Sequence, residues 1–598
     1  MCRFLQVFCA IFSGVLLALA IPNEHYLFGE PLIGLFALLP LYLAVSSAQS
    51  YRSSFWICAL QALVTHLLSS FWLGNFHGFA LFTLGASAFG TAGYHGLFGW
   101  LYHWLFSKYT SQGSAASLSM RAGRLDFAVF ARIFMFASLY TIWEWCKSNG
   151  FLGYPWGTLS MTAYRWPLVT QIAAITGCYG VTFLFALFAA TLAEGLLVLR
   201  TLSKAITPRR YAEGYTRTAK VTAAFFLLAL CYGLITYTIP RQPVKLLNAV
   251  LVQQNKDPWL SGDKSAIDIS TRLTEEGLAS FSAAEKEADV VVWSESVLGK
   301  NFPDAIHHYT SYPKEKSLIA FIREKKVPFI IGAPYTFNRE KHQTANATIL
   351  IDKNGKYAGN YAKLHLVPFA ERIPGVEYEW VRNFIHNIAG FSYGWTQGYK
   401  ATLFEIPLST APLYDAEKTE IVSLVSTAHK ADTQPSVRIG TPICFDDAFG
   451  EVCRRLYLAG SEVFINLTND AWSQTQSAEM QHFIVASYRA IEYRTTLARS
   501  TNAGFTCVVS PTGSILQSVP LFEERALAAE IPVYERKMTV YARLGDWLPI
   551  LLAVLCTLLF AVITLSEYDR KNESFTTERM KALGIWFTTK ADMSEWNY

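Results

Sequence analysis

Charged residues are scarce in this chain. Only 16% of its 598 residues are Asp, Glu, Lys or Arg, against about 25% in an average soluble protein. Because 52% of the residues are hydrophobic, the composition excludes a disordered chain and argues against an ordinary cytosolic enzyme. The net charge of +5 is too small over this length to indicate nucleic-acid binding.

Cysteine is also rare, with 10 residues in the chain. The sequence has no CxxC pair and no cluster of cysteine and histidine with the spacing of metal ligands. It therefore predicts neither a disulfide framework nor a structural zinc site.

The hydrophobic residues are concentrated in eight runs of roughly the length that a membrane-spanning helix needs, about 20 residues. The runs are 4–21, 27–46, 55–73, 78–106, 127–146, 168–193, 221–239 and 547–565. We predict a transmembrane bundle of about seven helices over 1–239, a transmembrane helix over 547–565 and a cytoplasmic tail over 566–598. The first run also fits a cleaved signal peptide, because Arg3 precedes it and Ala18-Leu19-Ala20 ends it. We favour an uncleaved helix.

The Lys and Arg residues between the runs favour one orientation. With a cytoplasmic N-terminus, twelve of them lie in inside stretches and only Lys147 and Arg165 lie in outside loops. This bias predicts that the polar stretch 240–546 faces the periplasm from a bacterial inner membrane. Glu144 and Glu194 fall within apolar runs, close to predicted helix ends. We expect both to reach the membrane interface, with a functional role as the alternative.

The polar stretch 240–546 alternates β-rich runs with amphipathic helical segments, which indicates a layered α/β domain. Predicted strands are 245–252, 289–293, 327–331, 346–351, 437–443, 462–467 and 505–510. Predicted helices include 264–286, 315–326, 447–459 and 479–498. The mostly polar segment 409–436 is interpreted as a long surface loop or insert.

Three segments place a reactive side chain just after a β-rich run, where α/β proteins carry catalytic groups. Glu295 follows VVVWS, and burial there would raise its pKa into the range of a general base. Lys363, in NYAKLHL two residues before His365, is suited to stabilising an oxyanion. Cys444 precedes a predicted helix, whose N-terminus would lower the pKa of the thiol. Taken singly, a solvated glutamate, a surface lysine and a buried structural cysteine remain the alternatives.

Taken together and in this order, the three residues resemble the Glu–Lys–Cys constellation of the nitrilase, or carbon–nitrogen hydrolase, superfamily. The flanks WSES, YAKLHLVPFAERIP and PICFDD agree, as do GAPYTF, INLTNDAW, QHFIVASYRAIE and RSTNAGFT farther along. The resemblance implies an αββα sandwich for 240–546. It also implies that Glu295 is the general base, Lys363 the oxyanion stabiliser and Cys444 the nucleophile, without a metal or other cofactor.

One branch of this superfamily, the apolipoprotein N-acyltransferase family, carries the domain between transmembrane helices. The chain resembles this branch end to end, including QQNKDPW at 253–259 and TVYARLGDW at 539–547. The resemblance implies a Cys444 thioester, a membrane phospholipid as acyl donor and a diacylglyceryl-modified apolipoprotein as acceptor. A membrane-anchored amidase that uses water as acceptor shares the same three residues. A transporter or receptor whose outer domain only binds ligand is the remaining alternative.

Five further residues are candidates for supporting or substrate-binding roles: Trp259, Glu371, Phe445, Asp446 and Asn469. Glu371 would orient Lys363 or act as a local base, unless it forms a loop salt bridge with Arg372. Two segments depart from the family pattern. PFAER stands where PFGEY is usual, and Cys444-Phe445-Asp446 stands where Cys-Tyr-Glu is usual. Phe445 therefore lacks a hydroxyl, and Asp446 is one methylene shorter.

Tryptophans form a second group of candidates near the site. Trp259, Trp395 and Trp472 would line a lipid-facing mouth, or they pack at the ends of loops.

Overall fold

The computed structural model describes residues 1–76, 81–108, 123–202, 209–239, 241–257, 262–341, 343–372, 375, 378–383, 394–410, 413 and 434–582. Three sequence predictions fall wholly or partly outside these residues. They concern Trp259, most of the insert 409–436 and the last part of the C-terminal tail.

Each of the eight predicted apolar runs contains helix in its described residues. The N-terminal helices are α1 (Arg3–Ala20), α2 (Pro31–Phe36), α3 (Leu39–Ser46), α4 (Tyr51–Ser69), α5 (Ser87–Lys108), α6 (Gly123–Ser148), α7 (Pro167–Thr170), α8 (Ala173–Thr176), α9 (Cys178–Leu202) and α10 (Arg209–Thr238). Among the described residues, three segments are long and apolar enough to cross a membrane: Arg3–Ala20, Cys178–Arg200 and Tyr211–Thr238. The count of eight spans stays a prediction.

The apolar run 168–193 is divided at Gly177, between α8 and α9. Gly177 has a φ of +67°, and a Cβ on it would lie 2.6 Å from Cε2 of Tyr541. A side chain would therefore strain the backbone and collide with an aromatic ring from the polar domain. The break lets the chain turn where the bundle meets that domain.

The prediction that Glu144 and Glu194 reach the membrane interface is wrong. Both side chains are fully buried between helices. Glu144 accepts hydrogen bonds from the backbone N–H of Leu159 and from Thr182 Oγ1, each at 2.7 Å. Glu194 forms an ion pair with Arg132 at 3.1 Å. Neither acid extends outward, because each has polar partners inside the bundle that satisfy its oxygens.

The polar domain contains two six-stranded sheets. The strands are β1 (Pro243–Gln253), β2 (Val290–Val292), β3 (Phe329–Asn338), β4 (Gln343–Ile351), β5 (Tyr357–Ala362), β6 (Leu403–Pro407), β7 (Ser436–Gly440), β8 (Val463–Thr468), β9 (Thr496–Thr501), β10 (Cys507–Val509), β11 (Ile515–Ser518) and β12 (Arg525–Tyr534). The first sheet has the order β12-β1-β2-β3-β4-β5, and the second has the order β11-β10-β9-β8-β7-β6. In each sheet the central pairs are parallel and the outer ones antiparallel.

Helices cover the outer faces of both sheets. They are α11 (Asp263–Ala283), α12 (Ala305–Tyr309), α13 (Leu318–Lys325), α14 (Gly450–Ala459), α15 (Gln476–Tyr493) and α16 (Val540–Leu544). The last helix, α17 (Trp547–Ala582), packs against α6 and α9 of the bundle. Alternate residues of β1 point to different layers, as the two-residue period of a strand requires. Leu247, Ala249 and Leu251 join the core between the sheets, whereas Val250 and Val252 pack under α11 and α13. The predicted αββα sandwich is confirmed.

Helix α15 joins the domain to the bundle. The sequence predicts an amphipathic helix over 479–498, but every residue from Ser477 to Tyr493 is buried. Several of its polar side chains contact the N-terminal bundle instead of water. Gln481 Nε2 donates to the carbonyls of Pro22 and Ser69 at 2.9 and 2.8 Å, and Tyr488 donates to the carbonyl of Ser160 at 2.6 Å. The polar domain is thereby fixed to the bundle on the side of α15.

Candidate active site

The three predicted residues converge where strands of the two sheets end. Glu295 lies three residues after β2, Lys363 directly follows β5, and Cys444 begins a short 3-10 turn, Cys444–Ala448, after β7. Glu295 and Lys363 are buried, with 7% and 1% of their surface exposed, and Cys444 is half-buried. The alternatives of a solvated glutamate and a surface lysine are therefore excluded.

Glu295 is held by donors from three segments. Its Oε1 accepts from Asn346 Nδ2 at 2.7 Å and from Lys363 Nζ at 3.4 Å. Its Oε2 accepts from the backbone N–H of Asn469 at 2.9 Å. Burial and the nearby Glu371 carboxylate raise the pKa of Glu295 against the opposing effect of Lys363. A carboxylate with a raised pKa in a fixed position is suited to accept a proton.

Glu371 is the second carboxylate at Lys363. Lys363 Nζ donates to Glu371 Oε1 at 2.9 Å, and Asn346 Nδ2 donates to the same oxygen at 3.0 Å. The alternative salt bridge with Arg372 is not what the side chains form, because Arg372 donates to Gln397 Oε1 at 2.6 Å. Burial by itself would lower the pKa of Lys363, but the two carboxylates raise it well above its usual range. The lysine is therefore a charged donor.

The orienting contact of Glu371 can be tested with a charge-neutral variant. Glu371→Gln is expected to reduce the acyl transfer that the family resemblance implies about 10- to 100-fold, because it weakens one charged hydrogen bond worth about 1.5–3 kcal/mol. The measurement is initial rate with a labelled acyl donor. Arg372→Gln is the matched control, since Arg372 is exposed, and we expect it to change the rate no more than about twofold. A larger loss in the control than in Glu371→Gln would contradict this assignment.

Cys444 stands in an unusual backbone conformation. Its φ is +46°, a region that costs a non-glycine residue of order 1–3 kcal/mol and that occurs often at functional sites. The carbonyl of Cys444 accepts from Asn466 Nδ2 at 3.3 Å, and that amide also donates to the carbonyl of Pro442 at 3.1 Å. Strand β8, which carries Asn466, thus holds the backbone of the turn through these two hydrogen bonds.

The prediction that a helix N-terminus lowers the pKa of the Cys444 thiol is wrong. Helix α14 begins only at Gly450, and the turn at Cys444 is a single 3-10 turn. Burial raises the pKa of the thiol well above its usual range, and Glu295 and Asp470 add to the effect while Lys363 opposes it. Because the resting thiol is neutral, a nucleophilic role for it requires a general base.

Asp446 connects the nucleophile turn to the lysine loop. Its Oδ1 accepts from the backbone N–H of His365 at 2.7 Å, and its Oδ2 accepts from Tyr361 at 2.8 Å and from the N–H of Ile443 at 3.1 Å. Burial raises the pKa of this carboxyl to about 6. The short aspartate side chain therefore suffices to bind the segment that carries Lys363.

The other predicted supporting residues lie around this core. Phe445 stacks on Trp156 of the bundle with centroids 5.1 Å apart, and Trp472 contacts Trp72 at 5.6 Å. Asn469 presents its backbone N–H to Glu295, while its side chain accepts from Asn502 at 3.0 Å. Trp259 lies outside the described residues. The aromatic residues thus form a wall shared by the domain and the bundle.

A second buried group, which sequence reasoning missed, lies behind Cys444. His482 of α15 contacts Asp470 through Nδ1 at 2.8 Å and Asp447 through Nε2 at 2.9 Å. Arg499 of β9 pairs with both aspartates. Burial by itself would lower the pKa of His482, but the two carboxylates outweigh it and raise the pKa to about 9.

Cys444, Asp470 and His482 place potential metal-ligand atoms within 4.8 Å of one another, a cluster that the sequence does not indicate. We interpret it as a hydrogen-bonded ion network, because both ring nitrogens of His482 already contact carboxylates and a metal ligand must be a neutral imidazole. A histidine within QHFIVASYRAIE was available as a signal, but helical spacing alone did not separate it from its neighbours.

The charged state of His482 predicts how stability depends on pH. The folded-state pKa of about 9 exceeds the ordinary 6.5, so the imidazolium stabilises the fold below pH 6.5 and this contribution is lost as the pH rises through 9. We expect a loss of about 3 kcal/mol from this group between those limits. Thermal unfolding of the full chain in detergent from pH 6.5 to 10 measures it. The decline should be shallower in His482→Gln, and equal slopes would contradict the prediction.

Residues 244–538 match the family model described as "Carbon-nitrogen hydrolase", and residues 13–191 match "Apolipoprotein N-acyltransferase N-terminal domain". "Apolipoprotein N-acyltransferase 2" of Treponema denticola is 38% identical over 555 residues, which cover 92% of this chain and 96% of that protein. The chain belongs to the apolipoprotein N-acyltransferase family.

Two other members of the apolipoprotein N-acyltransferase family are similarly extensive matches. "Apolipoprotein N-acyltransferase 2" of Treponema pallidum is 37% identical over 590 residues, covering 95% of this chain and 96% of that protein. "Apolipoprotein N-acyltransferase" of Borreliella burgdorferi is 29% identical, covering 90% and 92%. The likeness therefore includes both the apolar N-terminal part and the sandwich domain.

Proposed function

We propose that this chain transfers an acyl chain from a membrane phospholipid to the α-amine of a diacylglyceryl-cysteine at the N-terminus of apolipoproteins. The observation that carries the proposal is the meeting of Glu295, Lys363 and Cys444 at the ends of strands, beside a bundle of apolar helices. Membership of the apolipoprotein N-acyltransferase family supports the choice of substrates.

In the first step, Glu295 takes the proton of the Cys444 thiol, and the thiolate attacks the sn-1 ester carbonyl of the phospholipid. Lys363 stabilises the tetrahedral oxyanion, since its ammonium is charged and held between two carboxylates. The C–O bond then breaks, the lysophospholipid oxygen takes the proton back from Glu295, and a Cys444 thioester remains.

In the second step, the α-amine of the acceptor attacks the thioester carbonyl. The amine proton passes to Glu295, an amide forms and the Cys444 thiolate leaves, to be protonated again. A covalent intermediate between two separate substrates predicts ping-pong kinetics. Both substrates carry acyl chains, and removing them from the bilayer would cost about 0.8 kcal/mol per CH₂. A site fixed to the membrane helices avoids that cost.

The domain that carries the site is placed on the periplasmic face of a bacterial inner membrane in this proposal. The Lys and Arg bias of the loops supports it. The domain also contacts the ends of the helices that this bias assigns to the outer side. Pro22 follows the end of α1, Ser69 ends α4, and both contact Gln481. At the beginning of α9, the N–H of Cys178 donates to Glu492 at 3.1 Å.

The test is a transfer assay with the full chain in detergent–phospholipid micelles. A phospholipid with one labelled acyl chain is the donor, and a synthetic diacylglyceryl-cysteine peptide is the acceptor. We expect the label to appear on the peptide α-amine and the lysophospholipid to accumulate in equal amount. Release of the label as free fatty acid, independent of the peptide, would instead favour a membrane-anchored hydrolase with water as acceptor.

A further inference from the structure

A series of buried contacts connects Cys444 with Asp447, a residue of the same turn. Thr468 Oγ1 donates to Asp470 Oδ1 at 3.2 Å, and the Thr468 hydroxyl also hydrogen-bonds the Cys444 thiol. From Asp470 the contacts pass to His482 and then to Asp447, at 2.8 and 2.9 Å. The two acyl-transfer steps use Cys444 but none of the other side chains in this series.

We propose that His482 is a positioning residue. Through its contact with Asp447 it holds the turn that presents Cys444, and by pairing with Asp470 it neutralises a carboxylate within 4.8 Å of the Cys444 sulfur. The proposal rests on the proposed function only in taking Cys444 as the nucleophile. Neither aspartate nor His482 needs to contact substrate.

The first argument is mechanical. Asp447 lies in the same 3-10 turn as Cys444, whose φ of +46° is unfavourable for cysteine. A contact between Asp447 and His482 ties this turn to α15, which is itself buried between the second sheet and the bundle. Trp156 of the bundle lies 5.6 Å from the His482 ring and stacks on Phe445 beside the nucleophile. The turn is thus braced from the membrane side as well.

The second argument is electrostatic. Asp447 and Asp470 are balanced by Arg499 and by His482, each of which faces both aspartates. Glu479 also faces Asp470, but burial and that carboxylate raise its pKa well above the usual range, so it adds no charge. Loss of the imidazolium would leave one uncompensated negative charge within 4.8 Å of the sulfur. Because like charges in a buried site repel strongly, formation of the thiolate would become harder.

An electrostatic role and a purely structural role of His482 can be separated with two variants, because only the electrostatic role predicts opposite changes in them. His482→Gln keeps a hydrogen-bonding side chain and removes the positive charge. Asp470→Asn keeps the shape and removes the negative charge. If charge balance governs the thiol, the first variant makes it less reactive and the second more reactive, whereas a purely structural role would impair both.

The experiment measures alkylation of Cys444 by iodoacetamide in the full chain in detergent, between pH 6 and 9, with peptide mass spectrometry to resolve each cysteine. At pH 7.5 we expect His482→Gln to react about tenfold more slowly and Asp470→Asn about tenfold faster than wild type, each profile shifting by about one pH unit. The double variant should return to within about threefold of wild type, because it removes one charge of each sign. Cys453 and Cys507 are buried in the same domain, and their continued protection shows that the variants are folded.

No change in either single variant would overturn the proposal. Slower alkylation in both would overturn its electrostatic part and leave His482 only the mechanical support of the turn. If Cys453 becomes labelled in His482→Gln, the comparison of Asp470→Asn with wild type decides alone, and a rate no higher than wild type would reject the electrostatic role. These outcomes are separate from the transfer assay. A wild-type protein that fails to transfer acyl chains but shows the opposed shifts would refute the proposed function and retain this inference.

Discussion

Replacing Cys444 with alanine is expected to abolish acyl transfer and the fatty-acyl adduct of the enzyme. We expect the rate to fall by about four orders of magnitude or more, as it does when a covalent nucleophile is removed. Glu295 and Lys363 would remain in place, but without sulfur there is no atom to carry the acyl chain between the two substrates. Intact-mass measurement of protein incubated with phospholipid should show an adduct, removable by hydroxylamine, in wild type alone.

Cys453→Ala provides the matched control for this experiment. Cys453 lies in the same domain, on α14, and is fully buried in its core. We expect Cys453→Ala to retain the adduct and the transfer rate within a few fold, at a cost in thermal stability. Persistence of the adduct or of transfer in Cys444→Ala would show that the nucleophile is wrongly assigned. Ligand binding or transport without any adduct in wild type would favour a receptor or transporter.

The positions of Glu295, Lys363 and Cys444 were predictable because each follows a run with strong β character. Strands β2 and β5 run in the same direction and end at one edge of the first sheet, which brings Glu295 and Lys363 together. Cys444 follows β7 of the second sheet and meets them only because the two sheets stack. Burial of Glu295 and Lys363 was only one of two alternatives in the sequence, and the structure decides for it. The contact between Lys363 and Glu371 was predictable only as one of two alternatives, since Arg372 is nearer to Glu371 along the sequence than Lys363 is.

Strand β9 shows what the sequence pattern could not give. Its residues, Thr496–Thr501, are all buried, yet most of them are polar. The predicted helix 479–498 runs past the actual end of α15 and into this strand. Arg499 pairs with Asp447, and Ser500 donates to the carbonyls of Val252 and Val292 at 3.2 and 3.0 Å. Periodicity detects apolar faces, whereas this strand is held by polar contacts from distant segments.

The predictions of a lowered pKa for the Cys444 thiol and of a solvent-facing side for α15 were wrong for a related reason. A helix N-terminus is a local feature that can be read from sequence, but burial depends on what packs against the turn from elsewhere. At Cys444, burial and the carboxylates of Glu295 and Asp470 raise the pKa of the thiol more than the local backbone could lower it. At α15 the polar face, which sequence alone assigns to water, is covered by membrane helices. Both errors come from contacts between the two parts of the chain.

Replacing Lys363 with methionine is expected to reduce both activity and stability. Acyl transfer should fall about 10²- to 10³-fold, the usual loss for one donor at a developing oxyanion. The fold should lose about 3–5 kcal/mol, because the partner of buried carboxylates is removed. Glu295 and Glu371 would then share Asn346 Nδ2 at 2.7 and 3.0 Å without a cation between them.

The pH dependence of this variant separates the electrostatic cause from a packing defect. Two facing carboxylates without a cation raise the pKa of one of them above its unfolded value, so the folded state gains stability as the pH falls. The stability difference between wild type and Lys363→Met, measured by thermal unfolding, should therefore be smaller at pH 5 than at pH 8. Lys353→Met, at an exposed position of the β4–β5 turn, is the control and should show no such trend.

A second substitution, Glu371→Gln in the Lys363→Met background, should recover stability at pH 8 without recovering transfer. Recovery of both would mean that Lys363 serves only to neutralise Glu371 and that the oxyanion is stabilised by another group.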